Sequence, residues 1–482
     1  MGKIIKALVI GAGPAGLTAA WELQKKGHEI EIVEAQDQPG GISKTVKSGN
    51  FRFDLGGHRF FTKVPKVNSL WAEMLPDSEM LSRPRKSRIY YKGHFFDYPL
   101  KPINALLGLG IIETVRSILS YIWVRVYPPK NQKSFEGWVA ARFGWRLYNI
   151  FFKTYTEKVW GIPATSIGAD WAAQRIKSLS LSKAIINSFY KSKKVVVTSL
   201  IDNFQYPKYG PGQLWESAAK KLESNGVSLE YSLKLELARI LNGKYVTKFT
   251  NGTTKSSDKV FSSLPLSEIS LVLDPDFSNP ELHDICKKLL HRDFLVVSLI
   301  FTSEASFDDN WIYIHEKNVN VGRIQNFASW SPYMVEPGSS CLGMEYFVNR
   351  GDELWCMEDH ELIELAHAEA VTLALAPNGF SKGHVVRVPN AYPVYDTEYK
   401  KNVKFIENWL LENHPNWFQI GRSGQHRYNN QDHSMMTAVE AVAMLDQENS
   451  CWYWDVNVDE EYQEESKNPT GRNAPIFAEK NE

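Results

Sequence analysis

Apolar positions follow three regimes along this chain. From Ile4 to Ile10 they run without polar alternation, as in a parallel strand buried on both faces. LTAAWELQKKG then takes up helical spacing and stops at Gly27, and EIEIVE returns to strand, ending at Glu34. Strand, helix and strand in that order predict a βαβ unit. Residues from about 101 to 199 read as helical. Their longest apolar run, LLGLGIIETVRSILSYIWVRVY at 106–127, repeats Leu107, Ile111, Val115, Ile118, Ile122 and Val126 at spacings of three and four. That stripe predicts an amphipathic helix, buried or half-buried. Glu113, Arg116 and Arg125 interrupt it, and a charge near a bilayer centre costs about 3 kcal/mol, which disfavours a spanning helix. Contact with a membrane surface is the lesser alternative. Between 266 and 400, FLVVSLIFT, WIYIHEK, CLGMEYFV and GHVVRVP alternate at period two in places, predicting an antiparallel sheet with one covered face.

The first turn of the βαβ unit carries Gly11-Ala-Gly13-Pro14-Ala15-Gly16. The three glycines do different things. Gly11 permits the tight turn, Gly13 lets backbone approach a pyrophosphate, and Gly16 lets helix and strand pack closely. The helix N-terminus offers that anion free N–H groups and a positive dipole end. Glu34 lies 18 residues beyond Gly16, placed to accept hydrogen bonds from ribose hydroxyls and to repel a 2′-phosphate. The unit is therefore read as dinucleotide-binding.

Composition narrows the field a little. A length of 482 residues suggests about three units of roughly 150 residues. Lys plus Arg and Asp plus Glu number 55 each, which argues against a nucleic-acid partner. Four cysteines, Cys286, Cys341, Cys356 and Cys451, stand far apart without a CxxC pair, so neither a metal site nor a disulfide framework is expected and a reducing, cytoplasmic setting is. MGKIIKALVIGAG has no apolar leader or small-residue cleavage site, so it reads as a strand and not as a targeting segment.

Two further glycine pairs, Gly40-Gly41 in EAQDQPGGISKT and Gly56-Gly57 in FRFDLGGHRFFTK, follow the acid closely. They resemble the FAD-binding amine oxidase and glutathione reductase-like flavoproteins, where the first pair passes close to the cofactor and the second lies beside the isoalloxazine ring. YTEKVWG with ATSIGADWAAQRI (Tyr155, Thr156, Lys158, Trp160, Gly161, Arg175, Ile176) resembles the substrate-binding segment of the UDP-galactopyranose mutases. In the same order come FQYPKYGPGQLW, LLHRDFLVVSLIF with Arg292, VGRIQNF with Arg323, NAYPVYD with Tyr392, and IGRSGQHRYNNQDHSMMTAVEA with Arg422 and Tyr428. The chain departs from that family at Leu179, where a second arginine is usual, at Phe61, where a second histidine is usual, and at Asp432, an acid displaced by two positions.

The resemblance implies a mixed α/β fold. It would have a discontinuous FAD-binding domain of glutathione reductase type (1–100, 200–265 and 400–450), a helical insert (101–199), an antiparallel substrate sheet (266–399) and a flexible tail (451–482). It implies Gly11, Gly13, Pro14, Ala15, Gly16, Glu34, Ala35, Gly40, Gly41, Gly56, Gly57, His58, Arg422, Asp432 and Met435 around FAD. Tyr155, Trp160, Arg175, Arg292, Arg323, Tyr392 and Tyr428 would line a nucleotide sugar, with His58, Arg323 and Arg422 nearest the chemistry. Phe151 and Phe152 are expected to fill core. The implied activity is a pyranose/furanose isomerisation through the reduced flavin N5 in cell-surface polysaccharide synthesis, with NAD(P)H or another reductant, no integral membrane segment and room for a homo-oligomer. The alternative is an oxidoreductase of amine oxidase or protoporphyrinogen oxidase type. A flavin-free escort protein on the same scaffold fits less well, because Glu34 and the glycine turn are intact.

Overall fold

β1 (Lys6–Ile10) and β2 (Glu29–Val33) lie parallel, joined by α1 (Pro14–Lys25). In the computed structural model, which describes residues 4–98, 100, 102–169, 199–200, 202–446, 452–456 and 465–466, they form the middle of a five-stranded parallel sheet. Its order is Ser228–Glu230, β2, β1, Lys259–Ser262, Trp417–Gln419. Ala7, Leu8 and Val9 are buried among both helical layers, which is why β1 has no polar alternation. The helices Gly212–Ser224 and Gln431–Ala443 pack against α1. Segments hundreds of residues apart thus complete one nucleotide-type sheet.

A second, seven-stranded sheet runs Phe380–Pro393, His291–Phe301, Ser340–Val348, Arg323–Asn326, Trp311–Ile314, Ser87–Tyr91, His94–Asp97. The strands between 266 and 400 pair antiparallel with one another, as alternation suggested; the one parallel pair joins Trp311–Ile314 to Ser87–Tyr91, from outside that range. Its last two strands come from inside the first hundred residues. They form a hairpin closed by Lys92 and Gly93, both at positive φ (51° and 76°), and the hairpin's buried Ile89 and Phe96 join the aromatic core of the second sheet.

The aromatic stretch starts as a π-helical turn, Asn149–Lys153, and continues as the helix Thr154–Trp160, stopped by Gly161 at φ 65°. Phe151 is core, packed on Phe96, and Phe152 packs on Phe143.

Two expectations are corrected. The helix Ile111–Val126 does not bury its apolar stripe: Ile111, Val115, Ile118, Ile122 and Val126 are exposed, and the inward positions are Ser117 and Val124. The partner helix, Phe135–Tyr148, approaches so closely at Gly144 that its backbone meets the backbone of Ser120 and Tyr121 with no room for a side chain at that position. A Cβ there would lie 2.8 Å from the Tyr121 amide nitrogen. The tail also begins later than composition suggested. Tyr453 and Trp454 are buried in the nucleotide-side core, and the Tyr453 carbonyl accepts from Gln425 Nε2 at 3.0 Å.

Candidate active site

The turn between β1 and α1 makes an open cradle. Gly11 (φ 99°) donates its amide to the Val33 carbonyl at 2.8 Å, and a Cβ there would lie 2.1 Å from Ser263 Oγ. A Cβ on Gly16 would lie 1.8 Å from the Gly11 carbonyl oxygen, so helix and turn are in direct contact. Gly13 differs. Its nearest neighbour would be the Gly41 backbone at 3.8 Å. The Gly40 amide, bonded to the Ala12 carbonyl at 2.8 Å, holds that second loop in place. Two glycine backbones therefore face each other across space that a side chain on either would fill. Gly13 is the N-cap of α1 and makes no side-chain cap bond, and no acid stands in the first turn, so the positive end of the helix dipole faces the turn without a carboxylate beside it. Pro14 and Ala15 begin the helix, and Ala35 is exposed just beyond β2.

Glu34 is buried beside the cradle. Its Oε2 accepts from the Ala12 amide at 2.6 Å and its Oε1 from the Gln36 amide at 2.9 Å. Burial raises its pKa, and these two amides work against that shift.

The closing segment meets the cradle from the other side. A Cβ on Gly421 (φ 80°) would lie 2.8 Å from the Ala15 Cβ, and the Gly421 amide donates to Thr437 Oγ1 at 2.8 Å. That contact fixes Arg422, whose Nε donates to the Ala391 carbonyl at 3.0 Å and whose Nη1 donates to the Asn429 carbonyl at 3.2 Å. Asp432 is buried at the start of the Gln431–Ala443 helix, and its Oδ2 has no hydrogen-bond partner among the described residues; nor has the side-chain amide of Gln431. Buried polar atoms left so are costly, and a polyhydroxylated ligand would satisfy them. The open Gly13–Gly41 space and these orphaned atoms fit a dinucleotide cofactor. Met435 is fully buried, its sulfur taking the Trp71 indole N–H at 3.2 Å.

Gly56 (φ 113°), Gly57 and His58 form a second glycine turn, and a Cβ on Gly57 would lie 2.7 Å from the Trp311 ring. His58 Nδ1 lies 3.1 Å from the Gly56 carbonyl. Burial first, then the positive charges of Arg422 and Arg323, push its pKa down to about 4, so the imidazole is neutral at pH 7.

Around His58 the second sheet and the closing segment gather aromatic rings and guanidinium groups. Arg323 bonds the fully buried Glu345 through Nε and donates from Nη2 to the Tyr392 hydroxyl at 3.0 Å. Tyr392 stacks on Tyr428 (centroids 5.8 Å apart, planes at 20°), and Arg422 lies over both rings at 4.9 and 4.3 Å. Trp160 reaches Tyr428 at 6.4 Å. Tyr155 stacks on His315 (5.0 Å, 4°) and meets Tyr313 edge-on at 5.4 Å. Burial raises the Tyr155 phenol well above its usual range, and the nearby Arg323 charge opposes this. Burial is the largest influence on Arg323 and works against its charge, but Glu345 together with the Tyr392, Tyr155 and Tyr428 phenols outweighs it, so the guanidinium stays charged.

Tyr155, Trp160, Arg323, Tyr392, Tyr428, Arg422 and His58 thus come together. Arg292 is turned elsewhere. Its guanidinium donates to the carbonyls of Val159 (3.3 Å), Lys158 (3.5 Å) and Phe347 (2.6 Å) and caps the end of the Thr154–Trp160 helix over Gly161. Arg175 and Leu179 lie outside the described residues. Sequence reasoning missed Glu345, Gln325, Tyr313 and His315. Glu345 had a legible signal, a carboxylate in the otherwise apolar strand CLGMEYFV. Gln325, two residues past Arg323 on the same strand face, bonds Glu345 from the side.

Residues 9–74 match the family model for an NAD(P)-binding Rossmann-like domain. The chain is 39% identical over 75 residues to 1-hydroxycarotenoid 3,4-desaturase of Flavobacterium sp. (strain P99-3), covering 16% of this chain and 15% of that protein. It is 24% identical to the 15-cis-phytoene desaturase of an Oncidium hybrid cultivar, over 82% of this chain and 70% of that one. The crystal structure of a reduced UDP-galactopyranose mutase superposes with a TM-score of 0.82 at 22% identity, over 94% of this chain and 98% of that one. The chain thus carries a Rossmann-like dinucleotide-binding unit at its first turn and shares its overall fold with that mutase structure.

Proposed function

We propose that this flavoenzyme acts on a nucleotide sugar and interconverts its pyranose and furanose forms, as the name of its mutase neighbour suggests. The observation that carries the reading is the Arg323–Tyr392–Tyr428–Arg422 ladder next to His58. Fixed guanidinium forks suit phosphate oxygens, and stacked phenol rings suit a flat base or a sugar face. When bound and reduced, FAD supplies the electron pair for exchange at an anomeric carbon.

The chain's own residues bind, orient and exclude water. The amides at the start of α1 would hold the pyrophosphate across Gly13 and Gly41. Glu34 would take a ribose hydroxyl, and Asp432 would accept from hydroxyls of the linking chain. Gly56, Gly57 and neutral His58 would lie against the ring, with Arg422 beside it. On the substrate side, Arg323 would meet the charge that builds on a leaving diphosphate, Tyr155 would cover the base, and Trp160, Tyr392 and Tyr428 would wall the sugar.

A second reading, an oxidoreductase with net electron transfer, is favoured by Glu345. It already balances the Arg323 charge, which weakens any claim that Arg323 serves an anion, and the chain's relatives include desaturases. The test is to incubate the dithionite-reduced protein with UDP-galactofuranose. Appearance of UDP-galactopyranose without net flavin oxidation supports the isomerase. No conversion, together with flavin reduction by a candidate electron donor such as an amine or a porphyrinogen, supports the oxidoreductase.

A further inference from the structure

The Ile111–Val126 helix is amphipathic the wrong way round for a soluble core. Its inward positions are Ser117 and Val124, 1% and 2% exposed, whereas Ile111 is 85%, Leu119 61% and Val126 64% exposed. At 3.6 residues per turn, Ile118, Ile111, Ile122, Val115, Val126 and Leu119 occupy one unbroken apolar sector of roughly 100°. Ile112 and Trp123 extend it on one side, and Tyr127 follows at the helix end, all exposed. Arg116 borders the sector at one edge and Arg125 at the other, both exposed. Lys130 and Lys133, also exposed, continue the basic margin past the helix. From 111 to 133 the one acid is Glu113, and it is already engaged by Arg116 at 3.0 Å and Arg146 at 2.7 Å.

We propose that this helix is an interfacial membrane anchor: it lies flat on an anionic lipid surface, with its isoleucines in the acyl boundary and Arg116, Arg125, Lys130 and Lys133 against the headgroups. An apolar sector rimmed by basic residues, with tryptophan and tyrosine at its edge, is the chemistry of helices that lie in an interface. No described helix is long and apolar enough to cross a bilayer, so the helix lies on the surface and does not span it. Charge decides against a second copy of the chain as the occupant. A two-fold pairing of these faces would set arginine-rich margins against one another, and Glu113 is already committed within its own chain. Anionic lipid supplies the missing counter-charge. The consequence is a protein that works at a membrane surface, where lipid-linked or lipid-soluble compounds are concentrated. The anchor stands apart from the His58–Arg323 site and does not depend on how that site is read.

The test is flotation of the full-length protein with vesicles of phosphatidylcholine alone and of phosphatidylcholine mixed with phosphatidylglycerol. The protein should float with the mixed vesicles, lose binding at high salt, and partition at least about tenfold less as the double variant Ile118→Glu, Ile122→Glu. Both positions face solvent, so the far-ultraviolet spectrum and melting curve of the variant should match those of the wild type. Arg116→Glu with Arg125→Glu should weaken binding to the mixed vesicles selectively. Three results would overturn the proposal: wild-type protein that stays unbound with both vesicle types, equal binding to neutral and anionic vesicles, or light scattering that shows a dimer converted to monomer by Ile118→Glu, Ile122→Glu without any vesicle binding.

Discussion

Arg323 and Glu345 stand directly opposite each other on adjacent antiparallel strands and form an ion pair around a carboxylate with no solvent exposure. The pairing sets the direction of the guanidinium, leaving Nη2 for the Tyr392 hydroxyl. Removing one partner of a buried pair strands the other charge, at a cost of about 3–5 kcal/mol. Glu345→Ala should therefore lower the stability of the whole protein by that amount in urea denaturation. Arg323→Lys keeps the charge but loses the fork. It should keep the flavin spectrum and the fold while weakening UDP-sugar binding about tenfold, the effect of one lost charge-assisted bond. Loss of flavin in Arg323→Lys would remove this residue from the substrate side.

Gly13 and Gly16 are three residues apart in one motif and should fail differently. A side chain at Gly13 meets only the Gly41 backbone at 3.8 Å and points into the proposed pyrophosphate space. Gly13→Val should give a folded, colourless protein, with normal far-ultraviolet dichroism and no flavin absorbance. Gly16→Val would press against the Gly11 carbonyl, 1.8 Å from even a Cβ, and should yield little soluble protein. A yellow Gly13→Val protein would refute the cradle.

Acid should unfold this protein early. Burial, aided by Arg422, lowers His58 and His291 to about 4, and burial lowers His315 and His426 to about 3. Each takes up its proton near 6.5 once unfolded, so between pH 6.5 and 4 the unfolded chain binds more protons and stability rises with pH. The buried Asp54 opposes this: burial raises its carboxyl to about 7, so its contribution falls as pH rises from about 4 to 7. Burial raises Glu34 and Glu345 as well, in the same opposing direction, but the imidazoles outnumber the acids. The urea midpoint should drop steadily from pH 6.5 to 4.5, less steeply in His315→Gln, and a flat profile would contradict the buried neutral imidazoles.

Arg292 is a structural residue by its contacts, since its guanidinium serves the carbonyls at the end of the helix that carries Tyr155 and Trp160. Arg292→Lys should lower the melting temperature by about 1–3 °C, as expected for about 1–3 kcal/mol lost from buried bonds to a charged donor in a chain of this length. It should leave the affinity for a free nucleoside diphosphate within about twofold of wild type. A large loss of that affinity without a change in melting would return Arg292 to the substrate site.

Local chemistry was legible because it is written in neighbouring residues. The uninterrupted β1, the glycine turn, and Glu34 just past β2 all lie within the first 34 residues, so pattern and φ requirements were enough to read them. Tyr155, Arg323, Tyr392 and Arg422 were named through an ordered resemblance; only the folding-back of remote strands put their rings and charges within reach of one another.

Direction was not legible. Periodicity shows that the 111–126 helix has an apolar side, but which way that side faces was decided by tertiary packing, which brings Gly144 against the Ser120–Tyr121 backbone and buries Ser117 and Val124. Arg292 and Arg323 look alike in their segments. A helix end with free carbonyls claimed the first, and a carboxylate across the sheet claimed the second. The sequence by itself determined a nucleotide-type βαβ unit and the order of the site's segments. Tertiary structure decided which side chains gather around His58 and Arg323, because that depends on partners supplied by strands far away in the chain.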